Sequence, residues 1–260
     1  MSVLPLFFLR GRAVAALPPD DDYTDGLLET MRCQSGSLPL WPLHRARLLR
    51  GESLRQSEIA EIDALITQLA AACPVPVARA RLRWGIIDGR RQWDLSLFPL
   101  EQTPGLSRGV RLYVCDTRLP TIESANPGCK TLARARYNRA KAELPSDEPC
   151  DGLLLDCEGR VIESLRCNLL IRSGSAWVTP NLHRCGVRGV MREWLGSRIV
   201  LREADMDLEY LCAAQEVALC NSLRGVMPVR EIIGLHRWSL GSETGLEVPR
   251  LQQLIAEELW

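Results

Sequence analysis

Asn126-Pro127-Gly128-Cys129-Lys130-Thr131-Leu132-Ala133-Arg134 stands where the chain changes character. It ends a segment, Asp116 to Gly128, that holds Pro120, Pro127 and Gly128 and reads as an inter-domain linker. The chain therefore divides into an N-terminal domain, 1–115, a linker, 116–128, and a C-terminal domain, 129–260, that carries the lysine. Of the 32 basic residues only two are lysine, Lys130 and Lys141. Chemistry that needs an amine has just those two candidates. Lys141 lies in a helical run with solvent as its natural surroundings, whereas Lys130 sits at a loop-to-structure junction. A lysine becomes a nucleophile when burial or a cationic neighbour lowers its pKa.

Upstream of this stretch the pattern is α+β. Val3–Leu9 reads as a first strand and not as a leader, since no basic residue precedes it and Arg10 and Arg12 follow. Gly26 to Cys33 has the look of a strand, with Gln34-Ser35-Gly36-Ser37 as a hairpin turn. Helical periodicity covers Trp41–Leu49 and Ser57–Cys73, where Ile59, Ile62, Leu65, Ile66 and Leu69 share one face and Pro74 stops the run. Strands are expected near Leu82–Ile87, Trp93–Phe98 and Val110–Cys115. Downstream, a helix is expected from Thr131 to Leu144. Short strands follow around 152–155, 160–162, 168–172, 176–178, 199–202, 217–220 and 226–232. Helices are expected at Val190–Leu195 and Leu208–Ala213, and a terminal amphipathic one at Val248–Leu259. Short mixed elements in two lobes predict an α+β fold. No G-x-G-x-x-G or P-loop pattern is present.

Composition narrows the class. The formal net charge is zero, with 32 basic and 32 acidic residues, which argues against a nucleic-acid binder. The hydrophobic fraction of 46% supports a sizeable core. The longest charge-free stretch, Ala64–Ala78, is broken by prolines and too short to span a membrane. Ten cysteines show no C-x-x-C pair and no Cys/His cluster, so no metal site is expected, and reduced thiols in a cytoplasmic protein are.

Six segments form an ordered set: Asp25-Gly26-Leu27-Leu28-Glu29-Thr30, His44-Arg45-Ala46-Arg47-Leu48, Lys130-Thr131-Leu132-Ala133-Arg134, Val161–Leu169, Gly186-Val187-Arg188-Gly189-Val190-Met191-Arg192, and Cys220-Asn221-Ser222-Leu223 before Val226-Met227-Pro228-Val229. Together they resemble the fold-type IV pyridoxal-phosphate enzymes, the class IV aminotransferase family. That family includes branched-chain and D-amino acid aminotransferases and aminodeoxychorismate lyase. The resemblance runs from about Asp20 to Arg230 and is strongest toward the lyase branch.

What the resemblance implies is carried over residue by residue. The cofactor is pyridoxal 5'-phosphate. Lys130 matches the lysine that bonds it and shuttles the substrate's α-proton. Glu163 matches the carboxylate paired with the pyridine nitrogen, and Asn168 belongs to the same motif. Arg47 matches the arginine that grips the phosphate, a task suited to a planar guanidinium. Val190 and Met191 match positions whose backbone N–H groups meet that phosphate, and Ser222 matches a nearby hydroxyl. His44 reads as a packed or capping histidine. Substrate contacts are expected from Thr30, Arg90, Arg91 and Arg166. Two departures stand out: Asp88 replaces the family's usual arginine at the strand end Ile86–Gly89, and Leu165 and Arg166 follow Glu163 where small residues are usual. The expected activity is a lyase yielding 4-aminobenzoate and pyruvate from aminodeoxychorismate. An aminotransferase is the alternative, and a non-catalytic interaction protein the third reading. A homodimer acting on a small-molecule substrate is implied, without nucleic acid or membrane.

Overall fold

The computed structural model describes residues 4–51, 54–101, 108–121, 128–146, 148–239 and 247–260. Contacts gather the chain into two units, Met1–Gln102 with Cys129–Ala133, and Thr103–Gly128 with Arg134–Trp260.

The first unit contains β1 (Leu6–Leu9), β2 (Arg12–Val14), β3 (Thr24–Gln34), α1 (Trp41–Arg50), α2 (Gln56–Ala71), β4 (Val77–Ile87) and β5 (Arg90–Pro99). The strands form one antiparallel sheet in the order β2-β1-β5-β4-β3. Its turns follow from local chemistry. Asp88 (φ 48°) and Gly89 (φ 70°) make the two-residue turn between β4 and β5, the left-handed pair that best matches strand twist. Asp88 is thus a turn residue, which accounts locally for an acid at that strand end. In α2 the expected face is buried, with Ile59, Ile62, Ile66 and Leu69 packed beside Leu82, Trp84 and Leu95 of the sheet. Each such side chain contributes roughly 1.5–3 kcal/mol. Glu58, at the third helical position, accepts the Arg55 N–H and closes the helix start.

The second unit contains β6 (Val110–Leu119), α3 (Ala135–Ala142), β7 (Asp151–Asp156), β8 (Val161–Ser164), β9 (Asn168–Ser173), β10 (Ala176–Pro180), α4 (Val190–Gly196), β11 (Leu201–Ala204), α5 (Leu208–Cys212), β12 (Glu216–Asn221), β13 (Gly225–Ile232), β14 (His236–Arg237) and α6 (Glu247–Glu258). A mixed sheet runs β11-β10-β9-β12-β13-β6-β7-β8, with β14 paired to β13. Its buried residues, among them Leu112, Leu153, Leu169, Ile171, Leu219 and Val229, form this unit's core.

The structure corrects the reading of segment 116–134 in two ways. Asp116–Leu119, expected as linker, continues β6 and pairs with β7, so the units divide at Gln102 and not at Cys115. Residues 122–127 of the expected linker lie outside the described residues. The helix expected from Thr131 begins only at Ala135. The reason is hydrogen bonding: Leu28 N–H donates to Lys130 O (2.9 Å), and Leu132 N–H to Gly26 O (2.7 Å). Those bonds hold Lys130–Leu132 extended along β3, and Lys130 joins the first unit, not the C-terminal one. Gly26 is what admits the segment. A Cβ there would sit 2.5 Å from Leu132 Cδ1.

Candidate functional site

In the first unit the described chemistry gathers on β3, α1 and the extended segment at Lys130. Lys130 is half-buried and its Nζ donates to Thr30 Oγ1 at 3.2 Å. One residue before Thr30, Glu29 is buried with His44 and Arg47, at 1%, 0% and 4% exposure. Arg47 donates from Nε to Glu29 Oε1 (2.8 Å) and from Nη2 to Oε2 (2.5 Å), and His44 Nδ1 lies 2.6 Å from the same Oε2. The i, i+3 spacing puts both α1 residues on the face turned to β3. Burial alone raises the Glu29 carboxyl. The Arg47 charge and the hydrogen bonds from His44 and Arg47 outweigh it and bring the group down to about 2. Burial likewise pushes the His44 imidazolium down, aided by Arg47 and Lys130 and opposed by Glu29. His44 is therefore neutral at pH 7. Its Nε2 has no hydrogen-bond partner among the described residues, which makes it a buried acceptor. Glu29 takes the Nε/Nη2 edge of Arg47.

In the second unit the centre is Glu163 on β8, 3% exposed. Among the donors that meet it are the Tyr137 hydroxyl at Oε1 (2.5 Å), the Val187 N–H at Oε2 (3.0 Å) and Asn168 Nδ2 at 3.5 Å. Asn168 also donates to Val187 O at 2.9 Å, fixing the loop that leads into α4. That loop needs glycine at both ends. Gly186 has φ 91°, and a Cβ on Gly189 would lie 1.9 Å from Asn168 Oδ1. Val190 and Met191 begin α4 with their side chains buried. Ser222 lies half-buried in the turn after β12.

The expected substrate contacts fare unevenly. Thr30 is already engaged with Lys130. Arg90 is exposed beside the Asp88-Gly89 turn. Arg91 donates from Nε and Nη2 to Glu58 and covers the Trp84 ring at 4.9 Å, so its charge is used between the sheet and α2. Arg166 is exposed and its N–H faces Ser164 Oγ at 3.4 Å.

Two participants escaped the sequence reading. Glu29 stood inside a quoted motif without a role, although an acid between Leu28 and Met31 in a strand was the available signal. Tyr137 had no signal, because its contact with Glu163 spans 26 residues and depends on α3 starting late. Among the described residues no cluster of three or more His, Cys, Asp or Glu could hold a metal ion.

The family model described as amino-transferase class IV matches residues 26–232, a range that includes both constellations. Aminodeoxychorismate lyase of Vibrio harveyi is 29% identical over 248 residues, 87% of this chain and 91% of that protein. The crystal structure of 4-amino-4-deoxychorismate lyase from Pseudomonas aeruginosa superposes with a TM-score of 0.84 at 31% identity, covering 98% of this chain and 99% of that one. A hypothetical aminotransferase from Mycobacterium tuberculosis, in a PLP-bound form, shares the fold at 17% identity, with a TM-score of 0.83 and 98% and 99% of the chains covered. The α+β architecture is that of the fold-type IV enzymes, and the chain belongs to the class IV aminotransferase family.

Proposed function

We propose that this protein is a pyridoxal-phosphate-dependent lyase that converts 4-amino-4-deoxychorismate into 4-aminobenzoate and pyruvate. The observation that carries this reading is the 31% identity to the Pseudomonas lyase over 98% of the chain. The donor set fits the cofactor. A half-buried amine, a buried carboxylate and a buried guanidinium are the groups that an aldehyde, a pyridine nitrogen and a phosphate monoester require.

Pyridoxal phosphate, when bound, draws electron density from the substrate's α-carbon. Lys130 supplies the amine that bonds it. With the cofactor bound, Lys130 Nζ would take up and return the substrate's α-proton, with Thr30 Oγ1 holding the amine in line. Glu163 holds a proton at the ring nitrogen. Arg47 carries the phosphate, and Asn168, Val190, Met191 and Ser222 shape its surroundings. Arg166 and Arg90 would each offer a cation to the substrate's carboxylates. The protein acts as a homodimer, and a sedimentation mass near 29 kDa at full activity would overturn that assignment.

The purified protein is expected to be yellow. Borohydride should fix the cofactor on Lys130, and Lys130→Ala should bleach the protein while Lys141→Ala leaves its colour. Pyruvate should form without an added keto acid and in equal amount to 4-aminobenzoate. Turnover that stops after one equivalent and resumes with a keto acid would establish the second reading, an aminotransferase. Its support is a 27% identical putative amino-acid aminotransferase from Mesorhizobium loti, with a TM-score of 0.67 over 80% of this chain and 99% of that one.

A further inference from the structure

Tyr137 stands on α3, seven residues after Lys130, and is tied to the carboxylate on β8 through its hydroxyl, 2.5 Å from Glu163 Oε1. The ring that carries this hydroxyl is held on its other side. The Arg134 guanidinium covers it at 3.5 Å from the centroid, and Arg134 Nη2 donates to Leu165 O at 3.0 Å. Leu165 lies two residues past Glu163. The start of α3 therefore grips the end of β8 twice, once at the backbone and once at the carboxylate.

We propose that Tyr137 is a positioning residue that keeps Glu163 ionised and aimed, and through it governs protonation of the cofactor's ring nitrogen. The inference rests on the role given to Glu163 above. An O–H donor draws electron density from a carboxylate and weakens it as a base. A weaker base leaves the proton on the ring nitrogen; a stronger one competes for it. Tyr137 can act only while it keeps its own proton. Burial and the neighbouring Glu163 charge both push its phenol well above the ordinary range, Arg134 opposing, so it remains a donor at every working pH. Among the titratable groups near Glu163 are Tyr137 from α3 and Cys185 from the loop before α4, beside the neutral Asn168 and Val187 N–H, and Arg134, just before α3, acts on Tyr137. Cys185, pushed up to about 12, stays a neutral thiol.

The test uses the full chain without added cofactor first. Infrared titration of the Glu163 carboxyl band, identified by its absence in Glu163→Gln, should show Tyr137→Phe taking up its proton about one pH unit higher than wild type. One unit is a tenfold change in proton affinity. In the loaded enzyme Tyr137→Phe should lower kcat about tenfold at unchanged KM, with a changed visible spectrum. If Tyr137→Phe folds poorly, 3-fluorotyrosine at 137, a stronger donor, should move the carboxyl titration the opposite way. Identical carboxyl titrations, or a rise in KM at constant kcat, overturn the inference while the lyase reading stands. A wild-type protein that binds no pyridoxal phosphate overturns both.

Discussion

Glu29 and Glu163 are both buried glutamates on strands, and both accept hydrogen bonds at both oxygens, yet their surroundings differ in kind. Glu29 is met by the guanidinium edge of Arg47 and by His44, a charge set against a charge. The donors named on Glu163 are a phenol, a peptide N–H and an amide. Neutral donors lower the cost of a buried charge without cancelling it. The first arrangement is therefore suited to holding α1 against β3. The second, in these contacts, aims the carboxylate through hydrogen bonds. Stability and chemistry should separate accordingly when each glutamate is altered.

The largest effect is expected from Glu29→Gln. Removing one partner of a buried pair leaves Arg47 in a nearly dry site, which costs about 3–5 kcal/mol. Urea unfolding should show a lowered midpoint at constant slope. Glu163→Gln keeps a polar group for Tyr137 and Val187 and should cost about 1 kcal/mol. Equal losses from the two variants would erase the distinction.

Acid should attack the same place. Glu29 falls from 4.5 in the unfolded chain to about 2 in the folded one. A depressed carboxylate stabilises fully above 4.5, and that contribution disappears as pH falls toward 2, on the order of 3 kcal/mol. His44 acts in the same direction. Its folded pKa lies below 6.5, so from pH 6.5 downward the unfolded chain binds a proton that the folded one refuses. Stability should thus decline from about pH 6.5 and steepen below 4.5. Glu29→Gln should flatten the lower part of that curve, as thermal unfolding across pH would show.

The contrast also explains what could be read from the chain. Periodicity placed α2 and its buried face because Ile59, Ile62, Ile66 and Leu69 carry the signal themselves. Lys130, Glu163 and Asn168 are expected site residues because a motif surrounds each. The helix expected at Thr131 failed because its competitor was remote: Gly26 and Leu28, about a hundred residues earlier, bind that backbone first. Tyr137 meets Glu163 across 26 residues, a contact no local pattern announces. Local patterns announce elements, and long-range hydrogen bonds decide where they begin.

The catalytic side of the comparison rests on Glu163→Gln. An amide cannot hold a proton at the ring nitrogen, and kcat should drop about a hundredfold, ~2.7 kcal/mol of barrier. The protein should remain coloured, since Lys130 still bonds the cofactor. Loss of colour with activity would assign Glu163 to cofactor retention instead.

The smallest effect concerns a third buried carboxylate, Asp151, and the exposed Arg166. Burial raises Asp151, and the Ser164 hydroxyl and the Arg166 charge partly offset it. Ser164 Oγ donates to Asp151 Oδ2 at 3.0 Å and also receives the Arg166 N–H, so the turn after β8 is braced from below. The arginine's side chain is exposed, with the Asp151 carboxylate as an electrostatic neighbour. A substrate bearing carboxylates needs a cation, and Arg91 is already committed to Glu58. Arg166→Ala should therefore raise KM about tenfold, the loss expected for one charge-assisted hydrogen bond of roughly 1.5–3 kcal/mol. The visible spectrum should not change, because Tyr137, Val187 and Asn168 hold Glu163 without it. Arg166→Lys should recover part of the loss, keeping the charge but not the planar fork. An unaltered KM together with a lowered urea midpoint would mean that Arg166 serves Asp151 and that another residue selects the substrate.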